Sequence, residues 1–213
     1  MKSGRKPARR AAPARDAPSS RAQAVLDAAI AEFLTKGFDG ANVRSILAAS
    51  GASAGSVYRR FGSKQGLFRE IIENRVDLSY PRSGKLQPGG RPIEEELARF
   101  ARAYLKEFLS PQSLSLLAMI VAEAGQFPNE SRRLWELGPR KATRQVEDYL
   151  RHHLERGAIE VEDPQAAAAQ FLDMIKRGLH IRWLLTGAPP TSREIDTSVR
   201  QAVRIFCRGI AAR

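Results

Sequence analysis

The side chains of this chain that are best able to do chemistry are two adjacent histidines, one cysteine and a basic, hydroxyl-rich stretch near the N-terminus. His152-His153-Leu154-Glu155 has the residue types of a metal site. Neighbouring residues of a helix point about 100° apart, however, so the two imidazoles cannot share one ion. A solvated polar face accounts for them, and no metal is expected. His180 stands alone in an apolar stretch, without the serine and carboxylate partners that nucleophilic catalysis needs. No glycine-rich phosphate loop follows a strand. Cys207, the lone cysteine, excludes an intramolecular disulfide; it reads as a small core residue, with a redox-sensing thiol as the minor alternative. The chain is therefore not expected to be an enzyme or to carry a cofactor.

The stretch GASAGSVYRRFGSKQGLF, Gly51 to Phe68, suits a different chemistry. Ser53 is placed to cap a short helix with Val57 and Phe61 inward, one turn apart, which leaves Ala54, Gly55, Ser56, Tyr58 and Arg59 outward. Just upstream, Asn42 caps another short helix, with Ile46 and Leu47 inward, and Gly51-Ala52 turns between the two. This is the outline of a helix-turn-helix. Small residues at the start of the second helix let its backbone come close to DNA, and recognition helices use their N-terminal residues on base edges. Ser63 then caps a following helix whose first residue is Lys64; free amides beside a lysine form a seat for a phosphate. The candidate DNA-contacting set is Asn42, Val43, Arg44, Ser53, Ala54, Gly55, Ser56, Tyr58, Arg59 and Lys64.

The charge supports a polyanionic partner. The 213 residues carry a formal net charge of +12. Residues 1–21 hold seven basic residues and one acid, in a segment too poor in large apolar residues to pack. A disordered basic tail over 1–20 is expected. The lone cysteine, the absence of a signal-like apolar region and the lack of any run near the ~18 residues that span a bilayer together read as a cytoplasmic protein with no membrane partner.

These motifs need helices to position them, and helices are what the rest of the chain predicts. Ser20 and Gln23 stand in capping-box positions ahead of a stripe of Leu26, Ile30 and Phe33 that closes at Gly37. After the quoted stretch, Leu67, Phe68, Ile71, Ile72 and Val76 mark a longer helix. YPRSGKLQPGGRP then breaks the periodicity and forms the expected domain boundary. Further helices are expected from about Ile93 to Leu109 and from Pro111 to about Gly125, then over FPNESRRLWELGP and from Arg140 to Arg156. One continuous helix is expected over Pro164–Thr186, capped by Asp163. The last, Ser192–Ala212, opens on a Thr191/Glu194 capping box. No segment shows strand alternation. The fold class is all-α, with about nine to ten helices: a DNA-binding domain over 21–80 and a C-terminal helical domain over 92–213.

Residues 21–76 resemble the DNA-binding domain of the tetracycline-repressor (TetR) family, on Lys36-Gly37-Phe38, Ile46-Leu47, Gly51-Ala52-Ser53, Gly55, Tyr58, Phe61, Ser63-Lys64 and Leu67-Phe68. Two positions depart from that pattern: Asn42 stands for the usual threonine cap, and Arg59-Arg60 for a His/Tyr-type pair, which adds charge. IVAEAGQFPNESRRLWELGPRKA and DPQAAAAQFLDMI look like the AefR-type C-terminal domain of one branch of the family. The resemblance implies a three-helix DNA-binding domain and a sensor half that binds a small molecule and forms a homodimer, usually through the last two helices. It implies a transcriptional repressor that leaves a palindromic operator in double-stranded DNA when its effector binds.

The candidate lining of the effector site is Met119, Glu123, Phe127, Trp135 and Phe171. Each apolar member is equally an ordinary core residue, and Glu123 is either rim-exposed or a polar anchor. Few interior charges accompany them, so the effector is expected to be apolar or amphipathic. The stripe Phe171, Ile175, Leu179, Val199, Ala202 and Phe206 marks the two helices expected at the dimer seam, with its side left open. A nonspecific architectural DNA binder also fits the charge but leaves the large apolar C-terminal half without a role.

Overall fold

The computed structural model describes residues 20–79 and 84–212, and the backbone alone over 74–79. The basic tail over 1–20 thus lies outside the described residues apart from Ser20, as does the Val76 side chain. Among the described residues there are eleven helices and no strand: α1 Ser20–Gly40, α2 Val43–Ser50, α3 Ala54–Phe61, α4 Lys64–Ser79, α5 Ile93–Phe108, α6 Pro111–Ala122, α7 Pro128–Leu137, α8 Pro139–Leu154, α9 Pro164–Lys176, α10 Leu179–Thr186 and α11 Ser192–Gly209.

Short polar side chains set most of the boundaries. Asn42 Oδ1 accepts from the Arg44 amide at 2.9 Å, Ser53 Oγ from Ser56 at 3.3 Å and Ser63 Oγ from Gly66 at 3.0 Å. Asp163 caps α9 through the amides of Gln165 and Ala166. Thr191 and Glu194 close a reciprocal capping box on α11. Each of these satisfies donors that the first turn of a helix leaves open. The capping box expected at Ser20 and Gln23 is not seen among the described residues: Ser20 is already the first residue of α1, and Gln23 Nε2 donates to Asp27 one turn on at 3.0 Å. Gly51 turns the chain between α2 and α3 at φ 66°, where a β-carbon is strained.

The helix expected over Pro164–Thr186 is two. Arg177 (φ 41°) and Gly178 (φ 71°) both turn left-handed, which ends α9 and restarts the chain as α10. The break is supported from another element, since the buried Ser198 hydroxyl of α11 donates to the Ile175 carbonyl at 2.8 Å.

Two apolar cores result. One joins α5, α8, α9 and α11 around Phe100, Leu105, Val146, Leu150, Phe171, Ile175, Val199 and Phe206. The other gathers α1 to α4 around Phe33, Phe38, Ile46 and Phe68, and it also takes in Leu116, Met119 and Ile120 of α6 and Phe127. The expected domain boundary therefore does not separate two independent cores; the C-terminal half lends side chains to the N-terminal one. The segment entering α5 is held by Glu96, fully buried, which accepts from the Gln87 amide at 2.9 Å and from Arg99 Nε at 2.9 Å.

Candidate DNA-binding site

The outer face of α3 is open. Val57 and Phe61 are buried, whereas Ser53, Ala54, Gly55, Ser56 and Arg59 are exposed and Tyr58 is half-exposed. No atom lies within 4 Å of where a β-carbon on Gly55 would stand, so a double helix can approach the backbone there. Asn42 and Arg44 are exposed at the start of α2, with Val43 half-buried beside them. The basic residues of this domain divide by partner. Arg60 lies 3.7 Å from Glu70 and over the Phe61 ring, whereas the Arg44 and Arg59 side chains have no hydrogen-bond or ion-pair partner among the described residues.

Lys64 differs from the expected phosphate seat. Its Nζ donates to the carbonyls of Phe38 (2.7 Å), Asp39 (3.2 Å) and Ala41 (3.2 Å) and sits 4.6 Å from the centre of the Phe38 ring. An ammonium has three protons, and all three are engaged by the end of α1. In this structure Lys64 is a staple between α4 and α1.

A second constraint went unread in the sequence. A β-carbon at Gly66 would stand 1.8 Å from the Phe61 carbonyl oxygen. The start of α4 therefore runs against the end of α3 at a distance only glycine permits. The available signal was a glycine inside an otherwise helical pattern, which calls for a packing reason.

Phe38 links the helix-turn-helix to the C-terminal half. Its ring lies 5.6 Å from Phe33, 5.4 Å from Phe68 and 4.4 Å from Phe127. Its carbonyl receives Lys64, and its amide donates to Glu123 Oε1 at 3.2 Å. A second tie joins α4 to α7, where Arg69 Nε donates to the largely buried Glu130 at 3.1 Å.

Residues 25–71 match the family described as bacterial regulatory proteins of the tetR family, and residues 95–209 match the AefR-like transcriptional repressor C-terminal domain. The chain belongs to the TetR family. It is a DNA-binding transcriptional regulator, in a family that does not consist of enzymes. Among solved structures it is similar to the flavonoid-responsive regulator FrrA, with 27% identity and a TM-score of 0.76, covering 91% of this chain and 98% of that one. It is also similar to a TetR regulator from Agrobacterium tumefaciens, with 26% identity and a TM-score of 0.73, covering 91% and 95%. Among curated relatives, the transcriptional repressor ComR of Escherichia coli K12 is 26% identical over 161 residues, 74% of this chain and 77% of ComR.

Within this TetR-family fold the five residues expected to line an effector site do not line one cavity. Met119, Glu123 and Phe127 stand at the junction with the helix-turn-helix. Trp135 is 58% exposed on α7, and Phe171 is fully buried in the other core, 4.9 Å from Phe206. The apolar stripe of α9 to α11 likewise faces inward: Phe171, Ile175, Leu179, Val199, Ala202 and Phe206 are all buried in this chain's own core. What α10 and α11 present outward is Ile181, Leu184, Leu185 and Ile205. Among the described residues no group of side chains could hold a metal ion, and no helix is long and apolar enough to cross a membrane.

Proposed function

We propose that this TetR-family regulator binds a palindromic operator as a homodimer and represses until a small apolar or amphipathic effector releases it. The observation that carries the reading is Phe38. One residue at the end of α1 is bonded by a side chain of the C-terminal half, packed on Phe127 and tied to the first residue of α4, so a shift of the α6–α7 corner is felt at the joint that aims α3.

In this reading residues 21–80 bind DNA and residues 92–213 dimerise and bind the effector. Arg44 and Arg59, with their free guanidinium groups, contact phosphates; Ser53, Ala54, Gly55, Ser56 and Tyr58 approach base edges; Asn42 and Val43 position α2. The exposed Ile181, Leu184, Leu185 and Ile205 of α10 and α11 are an apolar patch of the kind that marks an interface. Similarity to the flavonoid-responsive regulator FrrA and to the repressor ComR favours ligand response and repression here. An effector acts only through its differential affinity for the two conformations, and moving 1:99 to 99:1 takes about 5.5 kcal/mol of it.

The test is selection of binding sites from random duplex DNA by the purified full chain, followed by footprinting. A palindrome with half-sites about one helical turn apart is expected. Recovery of sequences with no common motif, at affinities set by salt alone, would return the chain to the architectural class.

A further inference from the structure

Between residues 84–88 and α8 lies an open cleft of about 470 Å³, within the size range of small-molecule sites. Its walls are fixed by the fold. The Gly84 carbonyl accepts from Gln145 Nε2 at 3.1 Å, the Lys85 carbonyl from the Arg99 guanidinium, and the Gln87 amide donates to Glu96.

The chemistry of the cleft is lopsided. Lys85, Lys141 and Arg144 line it, against Asp148 as the one carboxylate in the lining. The Lys85 and Arg144 side chains have no ion-pair partner among the described residues. His152 adds a donor: Arg156 Nη1 lies 3.1 Å from its Nδ1, and because a guanidinium only donates, the neutral ring carries its proton on Nε2. Leu86 and Pro88 supply apolar surface. Tyr149 also lines the cleft; it is 2% exposed, and its hydroxyl has no hydrogen-bond partner among the described residues. Burial pushes that hydroxyl up to about 12, so it stays a donor.

We propose that this cleft binds a small organic acid, its carboxylate held by Arg144 and Lys85 and its apolar body against Leu86 and Pro88. The inference rests on the ligand-responsive reading and names the chemical class of its effector.

Calorimetric titration of the full chain with salicylate, octanoate and inorganic phosphate tests it. Saturable binding of salicylate or octanoate at one site per chain is expected, weakened about tenfold or more by Arg144→Ala with Lys85→Ala, since charge-assisted bonds are the strong ones. Arg151→Ala, which removes a residue paired with Glu147, should leave it unchanged. The proposal is overturned by no saturable binding of either acid, by binding that survives the double substitution, or by phosphate binding as tightly as the acids. A reduced salt dependence of DNA binding in the double variant would assign these cations to DNA instead and equally sink it. Operator release separates the two readings. Acid that binds but never releases DNA leaves the cleft assignment standing and removes the ligand-release reading; release by an acid that the double variant preserves does the reverse.

Discussion

At the scale of single residues, Gly55 within α3 and Gly66 within α4 do opposite work, and substitution tells them apart. Gly55 stands in open space and Gly66 against a backbone oxygen 1.8 Å from its missing β-carbon. Gly55→Ala should leave the fold intact and raise its stability by up to ~1 kcal/mol, the helical cost of glycine, while weakening operator binding, because the added methyl stands at the proposed DNA contact. Gly66→Ala should cost about 3 kcal/mol or more, at the upper end of overpacking, and thermal melting followed by circular dichroism separates the two. Equal melting temperatures would remove the close-approach argument. The cations divide similarly. Arg59→Ala should lower the slope of log affinity against log salt by about one with no change in melting temperature. Lys64→Met should do the reverse, because its three protons are held by carbonyls of the α1 end. A lowered slope for Lys64→Met would restore the phosphate seat. Cys207 is decided by its surroundings: burial pushes its thiol up to about 11, which leaves almost no reactive thiolate near neutral pH.

At the scale of elements, the ties between the two halves predict how the molecule unfolds. The core around Phe38 draws on α1, α4, α6 and Phe127, so the helix-turn-helix is stabilised by side chains from outside it. Phe127→Ala should cost roughly 3–5 kcal/mol, the usual range for a buried phenylalanine. It should split a single calorimetric transition into an early one for the helix-turn-helix and a later one for α5, α8, α9 and α11. A lowered but still single transition would mean that the halves are coupled elsewhere. The entry to α5 makes a pH prediction. The Arg99 guanidinium beside Glu96, with the Gln87 amide and Arg91, holds the Glu96 carboxyl down to about 2, below the ordinary carboxylate value near 4.3. Its contribution is full above the unfolded value and fades as the pH falls from there toward about 2. Glu96→Gln should therefore destabilise strongly at pH 7 and far less at pH 3, as denaturant titrations at the two pH values can show.

The same elements show what a sequence can disclose. The caps at Asn42, Ser53, Ser63, Asp163 and Thr191 were legible because each bonds an amide within three residues of itself. The α9–α10 break, the Lys64 staple and the Glu123–Phe38 bond were not, because each is settled by partners far along the chain, 23 residues apart for Ser198 and Ile175 and 85 for Glu123 and Phe38. The lining set is dispersed over the molecule for a related reason. Met119, Phe127, Trp135 and Phe171 have the composition of a pocket, but composition cannot say which core, or which surface, a side chain joins.

At the scale of the whole molecule, the proposed homodimer has its seam on the outer faces of α10 and α11. Val199 and Phe206 are buried within the chain's own core, whereas Leu185 is 81% and Ile205 58% exposed. A charge at a buried site and a charge at the seam therefore have different consequences. Val199→Glu places an unpaired carboxylate among apolar side chains, which is strongly unfavourable, and should unfold the C-terminal half, with loss of helical circular dichroism. Leu185→Glu with Ile205→Glu leaves that core untouched. This double variant should keep its helical spectrum and sediment as a monomer where the native chain sediments as a dimer. Its operator affinity should fall on the order of a hundredfold or more, because one recognition helix and one set of phosphate contacts must do the work of two. Its salt slope should drop to about half for the same reason. A native chain that is monomeric at micromolar concentration would sink the dimer reading. A double variant that remains dimeric would move the seam to another face while leaving the DNA-binding assignment of α3 intact.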